Sequence, residues 1–284
     1  MTHLGRLWTK RAGKAGLLTA LFLFPALACT TPAFAEDEPE VLPARVTAVY
    51  RINFGILGDI GWFKFTSVLK NGKYKLSAQA KVDTSVFDYF GKMASKGRVQ
   101  SSEAKPVNYS FTFNQEALFG KKKHRTLRMV FDDTGVKRFK FIPPDPPSIR
   151  AIPVKEKHLK GALDPLSGVM ALSLGDLNDP CKQKLPIFDG KQRFDVVFSK
   201  ARPAARSAPQ VCHVKLRPIA GHKKGEGADS VITGEIEVVL APVRKANIIV
   251  PKRVSVPTII GSAELTSERI EIVMPDKQRF ALNR

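Results

Sequence analysis

An alternation of apolar and polar residues with a period of two runs through most of the chain from residue 44 onward, and it constrains the fold more than any other feature. In residues 73–82, for example, lysines and other polar residues alternate with apolar or small ones. Successive side chains of a β-strand point to opposite faces, so this pattern is typical of strands with one buried and one solvated face. Strands of a parallel sheet would be apolar throughout, so the alternation predicts antiparallel pairing.

The alternation predicts about ten strands in all, separated by turn sequences such as Asn71-Gly72 and Asp132-Asp133-Thr134-Gly135. Many strands with one solvated face each favour a sheet that curls on itself and hides its apolar face. The predicted fold class is therefore mainly β, a curled antiparallel sheet or open barrel. Its strands are expected at residues 45–54, 63–69, 73–82, 107–113, 126–131, 136–142, 193–198, 211–216, 231–240 and 254–272, the last with a break.

Two segments interrupt the alternation and are predicted as short helices at or in the mouth of the sheet. In the first, Asp83 or Thr84 would cap a helix that carries an apolar stripe up to Met93. In the second, Asp164 is the predicted N-cap and Pro165 takes the first helical position. The stripes either complete the core or line a cavity for an apolar ligand. Their candidate ligand-binding residues are Phe87, Phe90, Leu166 and Met170.

The N-terminus has the features of a secretory signal peptide. Four basic residues precede an apolar stretch over residues 15–28, and Ala33 and Ala35 provide a small-x-small cleavage site. We therefore expect export to a bacterial periplasm. The predicted divisions are a leader over residues 1–35, cleaved after Ala35, a flexible mature N-terminus over 36–43, and a single β-rich domain over 44–284.

The cysteines fit an oxidising compartment. Cys29 lies in the predicted leader, where lipid attachment is an alternative to cleavage after Ala35. The other two, Cys181 and Cys212, are predicted to form a disulfide, which would close a loop of about 30 residues and stabilise the fold by roughly 3–4 kcal/mol. Their long spacing is unlike the CxxC motif of redox enzymes.

Signatures of common enzyme classes are absent from the sequence. It contains no GxSxG nucleophile elbow, HExxH zinc motif, GxxxxGKS/T phosphate loop, or GxGxxG after a strand. We therefore expect no enzyme activity, metal or cofactor. A hydrolase with an unrecognised carboxylate pair is an alternative, with Asp164, Asp189 and Asp195 as candidates. Their structural interpretations are a helix cap, a turn former and a solvent-facing strand position, respectively.

The chain is strongly basic, with a formal net charge of +20. Lysines at hairpin tips are ordinarily just solvated, but a positive surface also attracts lipid phosphates and anionic glycans. Nucleic acid is not an expected partner, because the aromatic residues alternate onto the inner face, away from the cations. Two predicted hairpin tips form a basic rim that consists of Lys121, Lys122, Lys123 and Arg125 at one tip and Lys223 and Lys224 at the other.

The segments Asp164-Pro165-Leu166-Ser167 and Ile187-Phe188-Asp189-Gly190, together with Arg193 and the two distal cysteines, resemble an exported bacterial family known as domain of unknown function 3108. The resemblance covers about residues 44–272. It implies a curled sheet reminiscent of periplasmic lipoprotein carriers, which hold acyl chains in an open barrel with helices at its mouth. It implies no catalytic residue. The motif residues Asp164, Pro165, Phe188, Asp189 and Gly190 are interpreted as structural.

Two functional hypotheses follow. The first is a non-enzymatic periplasmic protein that binds an apolar or amphipathic envelope molecule, such as a lipid or a lipoprotein-like ligand. The second is a structural or scaffolding module with a filled core that docks on anionic membrane or glycan through its basic surface. The interior volume separates them, because an acyl chain needs a cavity on the order of several hundred Å³.

Overall fold

The computed structural model describes residues 41–118, 120–144, 151–202, 205, 208–223 and 232–283. Its elements confirm the predicted fold class, since strands dominate and two short α-helices interrupt them. The predicted leader and its cleavage site lie outside the described residues. The elements are β1 Arg45–Phe54, β2 Gly58–Lys70, β3 Lys73–Asp83, β4 Phe87–Gln100, β5 Glu103–Ala117, β6 Lys123–Asp132, β7 Gly135–Ile142, α1 Glu156–Leu159, α2 Pro165–Ser173, β8 Lys184–Phe188, β9 Arg193–Lys200, β10 Gln210–Ala220, β11 Ile236–Val243, β12 Ile248–Thr258, β13 Gly261–Val273 and β14 Arg279–Asn283.

The strands form one antiparallel sheet built from two meanders. In the first meander β1 to β7 pair in chain order, and in the second β8 to β13 do the same. The meanders join where β1 pairs with β13 along its whole length, from Arg45 opposite Val273 to Phe54 opposite Ala263. β14 pairs with the second half of β13, where β12 no longer does. The end strands of this order are β7 and β8.

The connection between the meanders fills the seam between β7 and β8. Lys160 bridges to Gly135 at the start of β7, and Leu163 bridges to Ile187 in β8. The rings of Phe139 in β7 and Phe188 in β8 also meet directly, edge to face, with centroids 4.9 Å apart. The described strands therefore form an open sheet whose end strands are held together through this connection.

Helix α2 lies against strands of both meanders, namely β3, β4, β5, β8 and β12. Its start agrees with the prediction: Asp164 is the N-cap, its side chain accepts a hydrogen bond from the backbone N–H of Ser167, and Pro165 occupies the first turn. The first hydrophobic cluster packs between α2 and strands β2 to β7. α2 therefore occupies the inside of the curl.

The alternation predicted burial correctly in the first meander. In β3, Tyr74, Leu76 and Ala78 are 1–2% exposed, whereas Lys75 and Ser77 between them are exposed. The Asn71-Gly72 turn has positive φ at both residues, as a tight hairpin requires. The polar side chains of β3 thus face solvent, and its apolar side chains face α2.

The first predicted helix was wrong, because residues 87–100 form strand β4. The spacing of Val86, Phe87, Phe90 and Met93 matches a helical stripe, but β4 pairs along its length with β3 on one side and β5 on the other. These two ladders satisfy the backbone groups that a helix would otherwise satisfy internally. Thr84 stabilises the β3–β4 turn instead, since its hydroxyl accepts hydrogen bonds from the N–H groups of Val86 and Phe87.

The antiparallel register places the connecting loops at two opposite ends of the sheet. We call one end the front rim; it carries the connections that follow β1, β3, β5, β8, β10 and β12. The other end, the rear rim, carries those that follow β2, β4, β6, β9, β11 and β13. Along the front rim the order is β5–β6, β3–β4, β1–β2, β12–β13, β10–β11 and β8–β9.

Candidate functional site

A buried polar cluster, which we call the α2 cluster, fixes the start of α2 to the sheet. It comprises Asp164, Ser167, Ser95 of β4 and Tyr74 of β3, each at most 1% exposed. The Asp164 carboxylate accepts hydrogen bonds from the Ser167 backbone N–H at 2.9 Å, the Ser167 hydroxyl at 2.6 Å and the Ser95 hydroxyl at 2.9 Å. The Tyr74 hydroxyl lies 2.8 Å from Ser167 Oγ. Every member therefore has a partner inside the protein.

Burial dominates the electrostatics of the α2 cluster. Loss of solvent raises the pKa of Asp164 above its ordinary value, although the hydrogen bonds from Ser167 and Ser95 lower it in part. Burial also raises the pKa of Tyr74. A carboxylate with no solvent contact and three donors is suited to anchoring a helix. The structural interpretation of Asp164 is therefore the one that the geometry favours.

The predicted ligand-binding residues of α2 lie in the core. Leu166 is 2% exposed and Met170 is 8% exposed, and both pack in the first hydrophobic cluster. The cavity that Met170 borders, between α2 and β1–β2, has a volume of about 30 Å³. This cavity has room for about one water molecule and is far too small for an acyl chain.

The other two predicted ligand-binding residues lie apart from α2. Phe87 and Phe90 are both half-buried, and their odd spacing in a strand places them on opposite faces of β4. Phe90 shares the outer face with Lys92, whose ammonium lies 5.3 Å from the ring centroid. The structure therefore does not bring the four residues together in one pocket.

The predicted disulfide is confirmed: Cys181 and Cys212 are bonded. It links the segment after α2 to β10, and both cysteines belong to a second hydrophobic cluster with Leu172 of α2. The disulfide therefore ties the helical connection to the second meander.

The Phe188-Asp189-Gly190 motif forms the turn after β8. The Asp189 carboxylate accepts hydrogen bonds from the N–H groups of Lys191 and Gln192 at 2.8 and 2.6 Å. Burial raises the pKa of Asp189, and those donors oppose the rise. Gly190 has φ +93°, and a Cβ there would lie 2.5 Å from a methyl group of Leu127. The contacts of this motif thus serve the turn and its packing on β6.

The prediction for Asp195 was wrong: it is not solvent-facing but 5% exposed. Its carboxylate forms ion pairs with Arg193 at 2.6 Å and Lys184 at 2.9 Å. Burial raises its pKa, but the two cations outweigh that effect and leave the pKa below its ordinary value. Arg193 also donates to the backbone carbonyl of His158 in α1, so this pair links β9 to the seam.

The described residues of the two predicted basic groups lie on the same rim of the sheet. Lys121 and Lys122 occupy the β5–β6 turn, Lys123 begins β6, and all three are exposed, whereas Arg125 is half-buried. Lys122 pairs with Glu116 at 2.9 Å. Lys223 follows β10 and is half-buried, and Lys224 lies outside the described residues. The β1–β2 and β12–β13 turns lie between the two groups on this rim.

The sequence analysis missed the partners of Asp164 and the character of the turns between the basic groups. The spacing of Asp164 and Ser167 is that of an N-cap and the residue three positions on, so it signals their hydrogen bond. No local pattern points to Ser95 or Tyr74. The turns contain consecutive aliphatic residues beside glycine, Ile56-Leu57 and Ile259-Ile260, a visible departure from ordinary polar turns.

Comparison with known proteins assigns the chain to no family. No family model matches the sequence, and no curated protein matches it either. The resemblance to domain of unknown function 3108 therefore stays a prediction. A crystal structure of a β-barrel-like protein of the domain of unknown function DUF1849 from Brucella abortus is similar, at 13% identity and a TM-score of 0.48, over 82% of this chain and 99% of that one.

Two features are absent from the described residues. No three or more His, Cys, Asp or Glu side chains are grouped there so as to hold a metal ion. No helix in that part of the chain has the length and apolar character needed to cross a bilayer.

Proposed function

We propose that this protein is an exported, non-enzymatic module of the bacterial cell envelope that docks on an anionic surface through its front rim. The observation that carries the proposal is that the exposed Lys121, Lys122 and Lys123 and the half-buried Lys223, about 100 residues away in the chain, lie on one rim of one sheet. Anionic lipid headgroups and anionic glycans share the chemistry that such a rim attracts. The cavity that Met170 borders holds only about 30 Å³, so the candidate residues of α2 offer no room for an acyl chain. A larger cleft of about 520 Å³ lies beside α2, between β5, β6 and β8, but charged side chains such as Arg98, Glu103 and Lys184 line it.

The packing of α2 on the sheet favours docking over carriage of a lipid. An acyl chain inside the curl would have to displace Leu166 and Met170 of α2, which are buried in the core. It would also separate Asp164 from Ser95, and leave buried polar groups without partners. Leaving such groups unpaired costs about 1–3 kcal/mol each. Carriage would therefore require a different arrangement of α2.

The proposal predicts binding to anionic vesicles that salt weakens. Replacing Lys121, Lys122 and Lys123 with Gln should weaken binding to vesicles of phosphatidylglycerol and phosphatidylcholine by at least about tenfold, since each lysine near an anionic membrane contributes about 1 kcal/mol. Vesicle co-sedimentation at low and high salt measures this effect. An anionic polysaccharide column should retain the wild-type protein more strongly than the triple variant.

A matched control has the same change of charge at the other end of the sheet. Lys70, Lys73 and Lys75 are exposed and lie at or near the β2–β3 turn of the rear rim. Their triple replacement with Gln should leave binding much closer to that of the wild type. Equal losses in the two variants would show that net charge alone drives binding, and absence of binding to both anionic surfaces would refute the proposed function.

A further inference from the structure

We infer that the aliphatic turns between the two basic groups insert into a lipid bilayer, so that the anionic surface is a membrane and not a glycan. The inference rests on the proposed function and names its partner. The inserting residues are Ile56 and Leu57 in the β1–β2 turn and Ile259 and Ile260 in the β12–β13 turn. We call these four residues the aliphatic tip.

The aliphatic tip is exposed to a degree that a folded chain rarely tolerates for large apolar side chains. Ile56 is 104% exposed, Ile260 74%, Ile259 67% and Leu57 60%. Neighbouring turns of the same rim add Val86 and Leu118, at 54% and 62%. Contiguous exposed apolar residues of this kind mark an interaction site, whereas single ones need no explanation.

The two turns of the aliphatic tip touch each other although about 200 residues separate them in the chain. Pairing of β1 with β13 brings them together, and a Cβ on Gly55 would lie 3.7 Å from the Cα of Gly261. Gly55, Gly58 and Gly261 all have positive φ, so the tight turns present their aliphatic side chains outward. Val86 and Leu118 are held together likewise, by a 3.0 Å hydrogen bond from the Leu118 N–H to the Val86 carbonyl.

An aromatic and basic row crosses the outer face of the sheet behind the aliphatic tip. The paired residues in this row are Arg51, Trp62, Lys81, Phe90 and Asn114, one each from β1 to β5. Trp62 and Phe90 are half-buried and lie four or five residues from their turns, roughly 13–17 Å along the strands. Aromatic rings beside cations are enriched at the headgroup level of membranes.

This arrangement fits the layers of a bilayer surface. Aliphatic side chains at protruding turns would enter the boundary between headgroups and acyl chains. Surface-bound elements are buried there to a depth of about 5–10 Å. Lysines of the β5–β6 turn and the rings of Trp62 and Phe90 would then lie among the headgroups. A glycan would leave the aliphatic tip in water. A second copy of this chain is a poor partner for the aliphatic tip. A stable dimer buries about 800 Å² of accessible surface on each partner, more than four side chains on two narrow turns provide.

The decisive experiment replaces Ile56, Leu57, Ile259 and Ile260 with Ser and compares two surfaces. We expect binding to anionic vesicles to weaken at least about tenfold, while binding to the anionic polysaccharide stays unchanged. The wild-type protein should also keep vesicle binding at high salt that the four-serine variant lacks, because apolar insertion is not screened. The rear-rim variant Val41→Ser, at a position that is 53% exposed, serves as the control.

A second measurement reports insertion directly. In a Trp62→Phe background, Ile260→Trp places the reporter in the aliphatic tip, and Val41→Trp places it on the rear rim. We expect brominated lipids to quench only the Ile260→Trp reporter, with a shift of its emission to shorter wavelength. Wild-type vesicle binding by the four-serine variant without quenching would overturn the inference and leave the proposed function standing, as would binding to polysaccharide alone. Failure to bind either surface would refute both.

Discussion

The interior of the curl and the front rim both depart from the general rule that apolar side chains are buried and polar ones exposed. The interior contains a carboxylate, two hydroxyls and a phenol where apolar groups are expected. The front rim exposes isoleucine and leucine where polar turn residues are expected. The α2 cluster satisfies its own polar groups with hydrogen bonds of 2.6–3.0 Å, whereas nothing in the described chain covers the aliphatic tip.

The difference separates stability from binding. A buried polar group with all its partners supplied by the chain stabilises one arrangement, because any other leaves it unpaired. An exposed apolar group with no partner contributes nothing to folding and is available to an external surface. Changes in the α2 cluster should therefore alter stability, and changes in the aliphatic tip should alter binding alone.

Among the proposed variants, the largest loss of stability is expected from Asp164→Ala in the α2 cluster. The substitution removes the N-cap of α2 and leaves the hydroxyls of Ser95 and Ser167 without their acceptor, so the free energy of unfolding should fall by about 3 kcal/mol. Urea denaturation followed by circular dichroism measures the change.

Two milder variants test whether the cluster acts through hydrogen bonds. Asp164→Asn keeps an acceptor for the Ser167 N–H and gains a donor for the hydroxyls. Its loss of unfolding free energy should therefore be less than half of that in Asp164→Ala. Tyr74→Phe removes only the phenol and should lose about 1 kcal/mol. A loss in Asp164→Asn equal to that in Asp164→Ala would contradict this account of the cluster.

The pH dependence of stability should give a smaller effect. Because burial raises the pKa of Asp164 in the folded state, the stability that its protonated form contributes is complete below the ordinary pKa of an aspartate. It is lost as the pH rises through the raised folded value. Wild-type stability relative to Asp164→Asn should therefore decrease as the pH rises above the ordinary pKa of an aspartate. Parallel pH profiles of the two proteins would exclude a raised pKa at Asp164.

The smallest effect on stability is expected at the front rim. The four-serine variant of the aliphatic tip should change the free energy of unfolding by no more than about 0.5 kcal/mol, because the four side chains that it replaces are already exposed to solvent in the folded protein. The same urea titration measures it beside Asp164→Ala. A loss above about 1 kcal/mol would mean that the tip packs in the folded protein, which would break the distinction between the two regions.

Local periodicity predicted most strands, and its failures have physical causes. Residues 86–93 fit a helical and a strand pattern equally, and only the available edges of β3 and β5 decided between them. β8 escaped prediction because Pro186 argues against a strand, yet β8 is an end strand of the sheet, where proline is tolerated. β14 escaped because five residues are too few for a periodic signal.

The candidate site was predictable only in part. Asp164 and Pro165 marked the start of α2, and the lysine groups marked two turns. Their depth and grouping were not predictable: Asp195 was expected in solvent and is buried beside Arg193. Whether a strand residue faces solvent depends on what covers its face, and that information lies in distant segments.

By itself, the sequence determined the antiparallel curled sheet, the Cys181–Cys212 bond and the helix after its N-cap, Asp164. Strand periodicity and helix capping are local signals, and two cysteines outside the predicted leader leave one way to pair. Only the tertiary structure decided that Ser95 reaches Asp164 and that Gly55 lies beside Gly261. Those meetings depend on the register of strands and on a helix packed across two meanders. Contacts between residues so far apart leave no local pattern in the chain.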